Sequence, residues 1–127
     1  MKKIVLLLMF IIFTISFSDD EKIYKNINVK TFSNLVKTGE YIVLDVRTPE
    51  EYNNGHVANS INIDFYSNKF VENIKKLDRN KKYILYCRSG NRSGRTMYLM
   101  KELEFNEVYN LIGGLKSLLK ENYPLVK

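Results

Sequence analysis

The sequence predicts an α/β domain with a mainly parallel five-stranded sheet and helices on both faces. Three observations predict it. Residues 41–46 and 82–86 are apolar runs rich in β-branched and aromatic residues, of the length of buried strands. The segments between the strand candidates carry apolar residues at helical spacing, as in Phe70, Val71, Ile74 and Leu77. Strands that alternate with helices pair in parallel, and crossover helices then cover both faces of the sheet.

The elements follow in chain order. Lys2 and Lys3 precede an apolar run over residues 4–17, and Ser16 and Ser18 place small residues at the −3 and −1 positions before Asp19-Asp20-Glu21. This is the pattern of a secretory signal peptide over residues 1–18. The run is shorter than the about 20 residues that span a bilayer. An uncleaved membrane anchor is the competing reading. Cleavage leaves residues 19–127 as one domain with no stable membrane span, exported to a periplasm or cell envelope.

Residues 27–29 form a short strand candidate. Thr31 is placed to cap a helix carrying Phe32, Leu35 and Val36, which Gly39 closes. The strand over residues 41–46 ends at Arg47-Thr48-Pro49, where Pro49 suits a helix first turn followed by Glu50 and Glu51. Asn53-Asn54-Gly55 is turn sequence, and residues 61–63 form a third strand. A helix carries Phe70, Val71, Ile74 and Leu77 and ends near Asp78-Arg79-Asn80. Residues 82–86 form the fourth strand, residues 92–104 the next helix, and residues 108–111 the fifth strand. Gly113-Gly114 turns into a last helix with Leu115, Leu118 and Leu119 inward.

The formal net charge of +6 falls to +4 when Lys2 and Lys3 leave with the peptide. Lys75-Lys76 and Lys81-Lys82 are short solvated pairs without aromatic interleaving, so no nucleic acid is expected as a partner. One cysteine excludes a disulfide within the chain, and an exported protein that keeps a single thiol uses it for chemistry. The single histidine, His56, has no second soft ligand near it, so neither a metal nor another cofactor is expected.

That cysteine carries the function. Cys87 follows the fourth strand and opens Cys87-Arg88-Ser89-Gly90-Asn91-Arg92-Ser93-Gly94, which leads into a helix with Thr96, Leu99, Met100 and Leu103 on one face. Peptide N–H groups at a helix start, with Arg88, Arg92 and Arg95 nearby, favour a thiolate and a bound oxyanion. The plain alternative is a buried structural cysteine, which rarely stands among three arginines and two glycines. Right-handed crossovers place the loops after the second and fourth strands at one edge of the sheet, where ligand sites lie.

Three segments resemble the rhodanese-like domain family of single-domain thiosulfate sulfurtransferases, over residues 26–127. Residues 45–52, followed by Gly55-His56-Val57 and Ile61-Asn62-Ile63, are similar to its DVR-x-x-x-E-[FY]-x-x-GH-[IV] stretch. Residues 87–93 are similar to its CRSGxRS loop, and Leu111-Ile112-Gly113-Gly114 to its GG turn. The chain departs from the family's GHIPGA with Gly55-His56-Val57-Ala58-Asn59-Ser60, and Leu118 stands where a tryptophan is usual.

The resemblance implies double-displacement sulfur transfer. The Cys87 thiolate takes the outer sulfur of a small anionic donor such as thiosulfate, sulfite leaves, and a thiol or cyanide-like acceptor removes the sulfur from the Cys87 persulfide. A thioredoxin-like protein is a further candidate partner. Successive loop N–H groups suit the anionic sulfur. Arg88 and Arg92 suit the donor's oxygens, Ser89 and Ser93 offer hydroxyls, and Asn91 completes the loop. Gly90 supplies backbone freedom. Asp45, at a buried strand end, needs a partner and is read as structural. Arg47 either reaches the mouth of the site or pairs with Glu51, with the structural use favoured. His56 is read as structural, because an already activated thiolate needs no general base.

Two other functions stand beside this one. One is a phosphatase or arsenate reductase; rhodanese-fold phosphatases use a longer Cys-x5-Arg loop, whereas here four residues separate Cys87 from Arg92, which favours sulfur while arsenate reduction stays open. A redox-sensing or sulfur-carrying partner module would also keep the cysteine.

Overall fold

The computed structural model describes residues 21–127. The signal-peptide reading of residues 1–18 lies outside the described residues. Five strands and five helices alternate: β1 (Ile23–Ile27), α1 (Val29–Lys37), β2 (Tyr41–Asp45), α2 (Pro49–Asn53), β3 (Ile61–Asn62), α3 (Phe70–Lys75), β4 (Lys82–Tyr86), α4 (Asn91–Glu102), β5 (Glu107–Leu111) and α5 (Gly114–Lys120). The sheet order is β1-β5-β4-β2-β3, and every pairing is parallel.

Alternation along β4 divides the core. Tyr83, Leu85 and Cys87 pack with Leu44, Phe70, Ile74, Met100 and Phe105 on the face covered by α3 and α4. Ile84 and Tyr86 point the other way and pack with Val29, Phe32, Val57 and Leu118 beneath α1 and α5. A strand buried on both faces needs apolar residues throughout, which is why β4 reads as a continuous run. The outgoing connections of β2 and β4, which are neighbours, leave in opposite directions. Such a reversal opens a crevice beyond the strands' C-terminal ends, and the Cys87 loop lies there.

The first strand is displaced from its expected place. β1 ends at Ile27, and Asn28 caps α1 by accepting from the Thr31 N–H at 2.9 Å, so Val29 is helical and Thr31 lies inside the first turn. Asn is as good a cap as Thr, and its carbonyl reaches the N3 donor. The third strand stops at Asn62. Leu119 is 56% exposed rather than inward, while Leu118 enters the core and Leu115 packs against it. The start of α2 is as the sequence reads: Pro49 follows the cap Thr48, and Thr48 and Glu51 form a reciprocal capping box. Asn59, at the place of the family's usual Gly, adopts φ 64, a conformation Asn tolerates better than other residues with a Cβ.

Candidate active site

The site forms where β4 runs into α4. Cys87 is completely buried, and the loop turns back over its sulfur. Gly90 takes φ 97, which allows its N–H to donate to Cys87 Sγ at 3.1 Å. The Ser93 N–H donates at 3.4 Å and the Ser93 hydroxyl at 3.3 Å. Burial pushes the Cys87 thiol up, but the Ser93 hydroxyl and the N–H groups of Ser93, Ser89 and Gly90 outweigh it and hold the group below the ordinary thiol range. Hydrogen bonds aimed at the sulfur favour its anionic form, so the loop does the work that a separate base would otherwise do.

Arg92 stands beside this sulfur but is not free. Its two terminal nitrogens donate to the carboxylate of Glu51 at 2.8 and 3.0 Å, and its guanidinium lies 5.4 Å from the Tyr66 ring centre. The end-on fork consumes two of five N–H donors and leaves three for an oxyanion. The Arg92 guanidinium holds the Glu51 carboxyl down to about 2, against a smaller opposing effect of burial. A depressed carboxylate keeps the contribution of its pair above the ordinary carboxylate range and loses it as pH falls toward that value. The clamp is therefore intact at neutral pH.

The remaining sequence candidates divide cleanly. Arg88, Ser89 and Asn91 have exposed side chains around the loop opening, and Ser89 contributes a backbone N–H. Asp45 and Arg47 pair with each other, which corrects the expectation that Arg47 meets either the mouth or Glu51. Arg47 donates to Asp45 at 2.6 to 3.0 Å and to the Gly55 carbonyl at 2.7 Å, and only 2% of Arg47 is exposed. Glu51 is instead turned toward Arg92. His56 bonds through Nδ1 to the Tyr52 carbonyl at 2.8 Å, stacks on the Tyr52 ring, and bridges Val126 through its backbone. It is a tie between α2 and the C-terminal segment. Arg95 lies over the Phe65 ring at 5.5 Å.

Sequence reading missed the support beneath the loop. The Leu115 N–H donates to the Cys87 carbonyl at 2.8 Å, and the Lys116 N–H to the Arg88 carbonyl at 3.2 Å. Those bonds turn the loop carbonyls outward and leave its N–H groups facing the sulfur. Gly114 makes this approach possible. At φ 53, a Cβ there would stand 2.3 Å from the Cys87 carbonyl oxygen and 2.9 Å from the Arg88 carbonyl. Both are backbone and cannot swing aside. Gly114→Ala should cost about 2–4 kcal/mol through the left-handed penalty and overpacking. Urea denaturation measures this, and a loss under about 1 kcal/mol would show that the loop yields easily. The double glycine was the available signal for this contact, but its partner lies 27 positions back along the chain.

The comparisons agree with this architecture. The protein-family model described as Rhodanese-like domain matches residues 28–121. The chain is 33% identical over 101 residues to the thiosulfate sulfurtransferase GlpE of Coxiella burnetii, spanning 80% of this chain and 92% of that protein. It is 31% identical over 107 residues to a tRNA uridine(34) hydroxylase of Pelagibacter ubique, covering 84% of this chain but 36% of that longer protein. The crystal structure of a rhodanese-related protein from Thermoplasma volcanium superposes with a TM-score of 0.72 at 40% identity, covering 81% of this chain and 98% of that one. With the family model spanning most of the described residues, the Cys87 loop among them, and relatives similar over most of the chain, the chain belongs to the rhodanese-like domain family.

Proposed function

We propose that this protein is a sulfurtransferase that passes sulfane sulfur from thiosulfate, or a donor like it, to a thiophilic acceptor through a persulfide on Cys87. The observation that carries the proposal is the sulfur of Cys87 at the focus of Gly90, Ser93 and the Ser93 hydroxyl, with Arg92 clamped beside it. The likeness to a relative named thiosulfate sulfurtransferase supports the same reading.

In the first half-reaction the Cys87 thiolate attacks the outer sulfur of thiosulfate. The new bond joins the two sulfurs, the donor's S–S bond breaks, and its electron pair leaves with sulfite. The free N–H groups of Arg92, with Arg88 at the opening, neutralise charge that builds on the departing sulfonate oxygens. In the second half-reaction the acceptor attacks the outer sulfur of the persulfide, and the electron pair returns to Cys87. The same N–H groups that favour the thiolate hold the anionic persulfide between the two steps. His56 and Asp45 take no part, because both are committed to partners elsewhere.

Reduced protein mixed with thiosulfate should gain one sulfur atom by intact mass, on the peptide containing Cys87, and cyanide should remove it. Protein that stays unlabelled with several sulfane donors would overturn the reading. Arg92→Ala should slow turnover by about 30- to 1000-fold, the equivalent of about 2–4 kcal/mol of lost charge stabilisation. Arg95→Ala should act far less, because that side chain rests on Phe65. Steady-state kinetics compares them, and equal effects would remove Arg92 from the donor site. We also propose that residues 1–18 direct export. N-terminal sequencing of envelope-fraction protein should begin at Asp19, whereas an intact Met1 chain resistant to carbonate extraction would show a retained anchor.

A further inference from the structure

Exposed cations and large apolar side chains meet around the Cys87 opening. Residues 86–101, which form the end of β4, the loop and all of α4 but its last residue Glu102, and residues 108–120, which form most of β5, the turn and α5, contain no aspartate or glutamate. They contribute Arg88, Arg95 and Lys116 as exposed cations near the opening. Of the acids near the opening, Glu51 is paired with Arg92 and Asp64 accepts from the Tyr66 N–H. Two large apolar side chains flank the same opening. Ile112 is 56% exposed, and its Cα stands 3.9 Å from the position a Cβ on Gly90 would take. Tyr66 is 68% exposed, on the opposite side, with Arg92 against its ring.

A small inorganic donor uses none of these groups beyond the loop. It needs the N–H cradle and the loop's own Arg88 and Arg92, and gains nothing from an isoleucine and a tyrosine held in water on either side. Exposed apolar residues that flank a cationic opening suit a macromolecular partner, since they lose water only when a wide surface covers them. The sign of the collar selects that partner's charge, because complementary fields speed encounter and like charges repel.

We infer that the acceptor of the Cys87 sulfur is a protein whose receiving cysteine is flanked by acidic side chains, docked on the collar of Arg88, Arg95, Lys116, Ile112 and Tyr66. The inference rests on the sulfurtransferase reading for the transfer but not for the docking. In the transfer the acceptor sulfur attacks the outer persulfide sulfur, the S–S bond to Cys87 breaks, and Cys87 leaves as a thiolate. The acceptor's thiol proton ends on the transferred sulfur, so the acceptor becomes a persulfide and no outside oxidant or reductant is needed.

Three cysteine peptides of equal length, acidic, neutral and basic, provide the test. With persulfide-loaded protein, the rate of sulfur loss should be about tenfold or more higher for the acidic peptide than for the basic one at low salt, and the ratio should shrink in high salt. With unloaded protein, the same peptides activated as mixed disulfides with thionitrobenzoate should be captured by Cys87 in the same order. Arg95→Glu/Lys116→Glu should abolish or invert the order in both arms, and Ile112→Ser should slow all three peptides. Equal rates for the three peptides overturn the inference, as does a preference for small neutral thiols. Binding to anionic lipid vesicles without discrimination among peptides overturns it in favour of a membrane surface. Failure to load with capture still ordered by charge would overturn sulfur transfer and leave the docking surface standing.

Discussion

Cys87→Ser protein should take up no sulfur from thiosulfate, and its turnover should fall by at least about a thousandfold, as expected when a nucleophile is lost. The hydroxyl of serine is far too basic to be ionised by the loop, and oxygen does not form a stable adduct with sulfane sulfur. The fold should survive. Serine is nearly isosteric with cysteine, and its oxygen still accepts from Gly90, Ser93 and the Ser93 hydroxyl. A stability change within about 1 kcal/mol is expected, since no buried donor loses its acceptor. Intact mass after thiosulfate treatment reads the chemistry, and urea denaturation reads the fold. Sulfur uptake by the serine variant would place the nucleophile elsewhere. Loss of structure in the variant would make Cys87 a packing residue first.

The parts of the site visible in the sequence are those that follow one another in the chain. The loop from Cys87 to Ser93 is a local device. Its N–H groups converge on the sulfur because one glycine turns the backbone and a helix begins directly afterward, and both features are adjacent letters. The same holds for α2, where Thr48, Pro49 and Glu51 specify a helix start among themselves. What stayed hidden depends on contacts across the fold. Glu51 and Arg92 are 41 positions apart, and nothing in either segment says that they meet. In the sequence Glu51 reads as an acid of a helix first turn with Arg47 as a candidate partner, and only the adjacency of β2 and β4 reveals Arg92.

The sheet itself was legible where burial leaves no alternative. β2 and β4 are central, and their residues must be apolar or paired on both faces. β1 is an edge strand paired only with β5, and its middle residues Lys25 and Asn26 are exposed. Half of its surface faces water, so its apolar signal is weak, and the stronger run of Ile27 and Val29 drew the boundary too late. Asn28 between them belongs to the cap of α1.

Asp45→Ala should cost about 3–5 kcal/mol, a large share of the stability of a domain this size. Asp45 closes β2 with no exposure to water. Its carboxylate accepts from the Arg47 backbone N–H at 2.9 Å and from the Arg47 guanidinium through two nitrogens. The guanidinium in turn holds the Gly55 carbonyl and lies 5.5 Å from the Tyr86 ring centre. The Tyr86 hydroxyl accepts from the Val57 N–H at 3.0 Å, so the pair sits among groups that join β2, β4 and the turn at Gly55. Removing the carboxylate leaves a buried cation without its counter-charge and orphans the Arg47 N–H. The penalty comes from that abandoned charge rather than from a large intrinsic value of the pair, because desolvation offsets most of the attraction between buried ions. The variant Asp45→Leu/Arg47→Met removes both charges and should therefore recover the part of the loss that comes from the abandoned charge, while the backbone N–H of residue 47 and the Gly55 carbonyl stay unpaired. Urea denaturation of the single and double variants measures the difference. A single variant that loses less than about 1 kcal/mol would mean that Arg47 escapes to water. Equal losses in both variants would assign the effect to packing instead of charge.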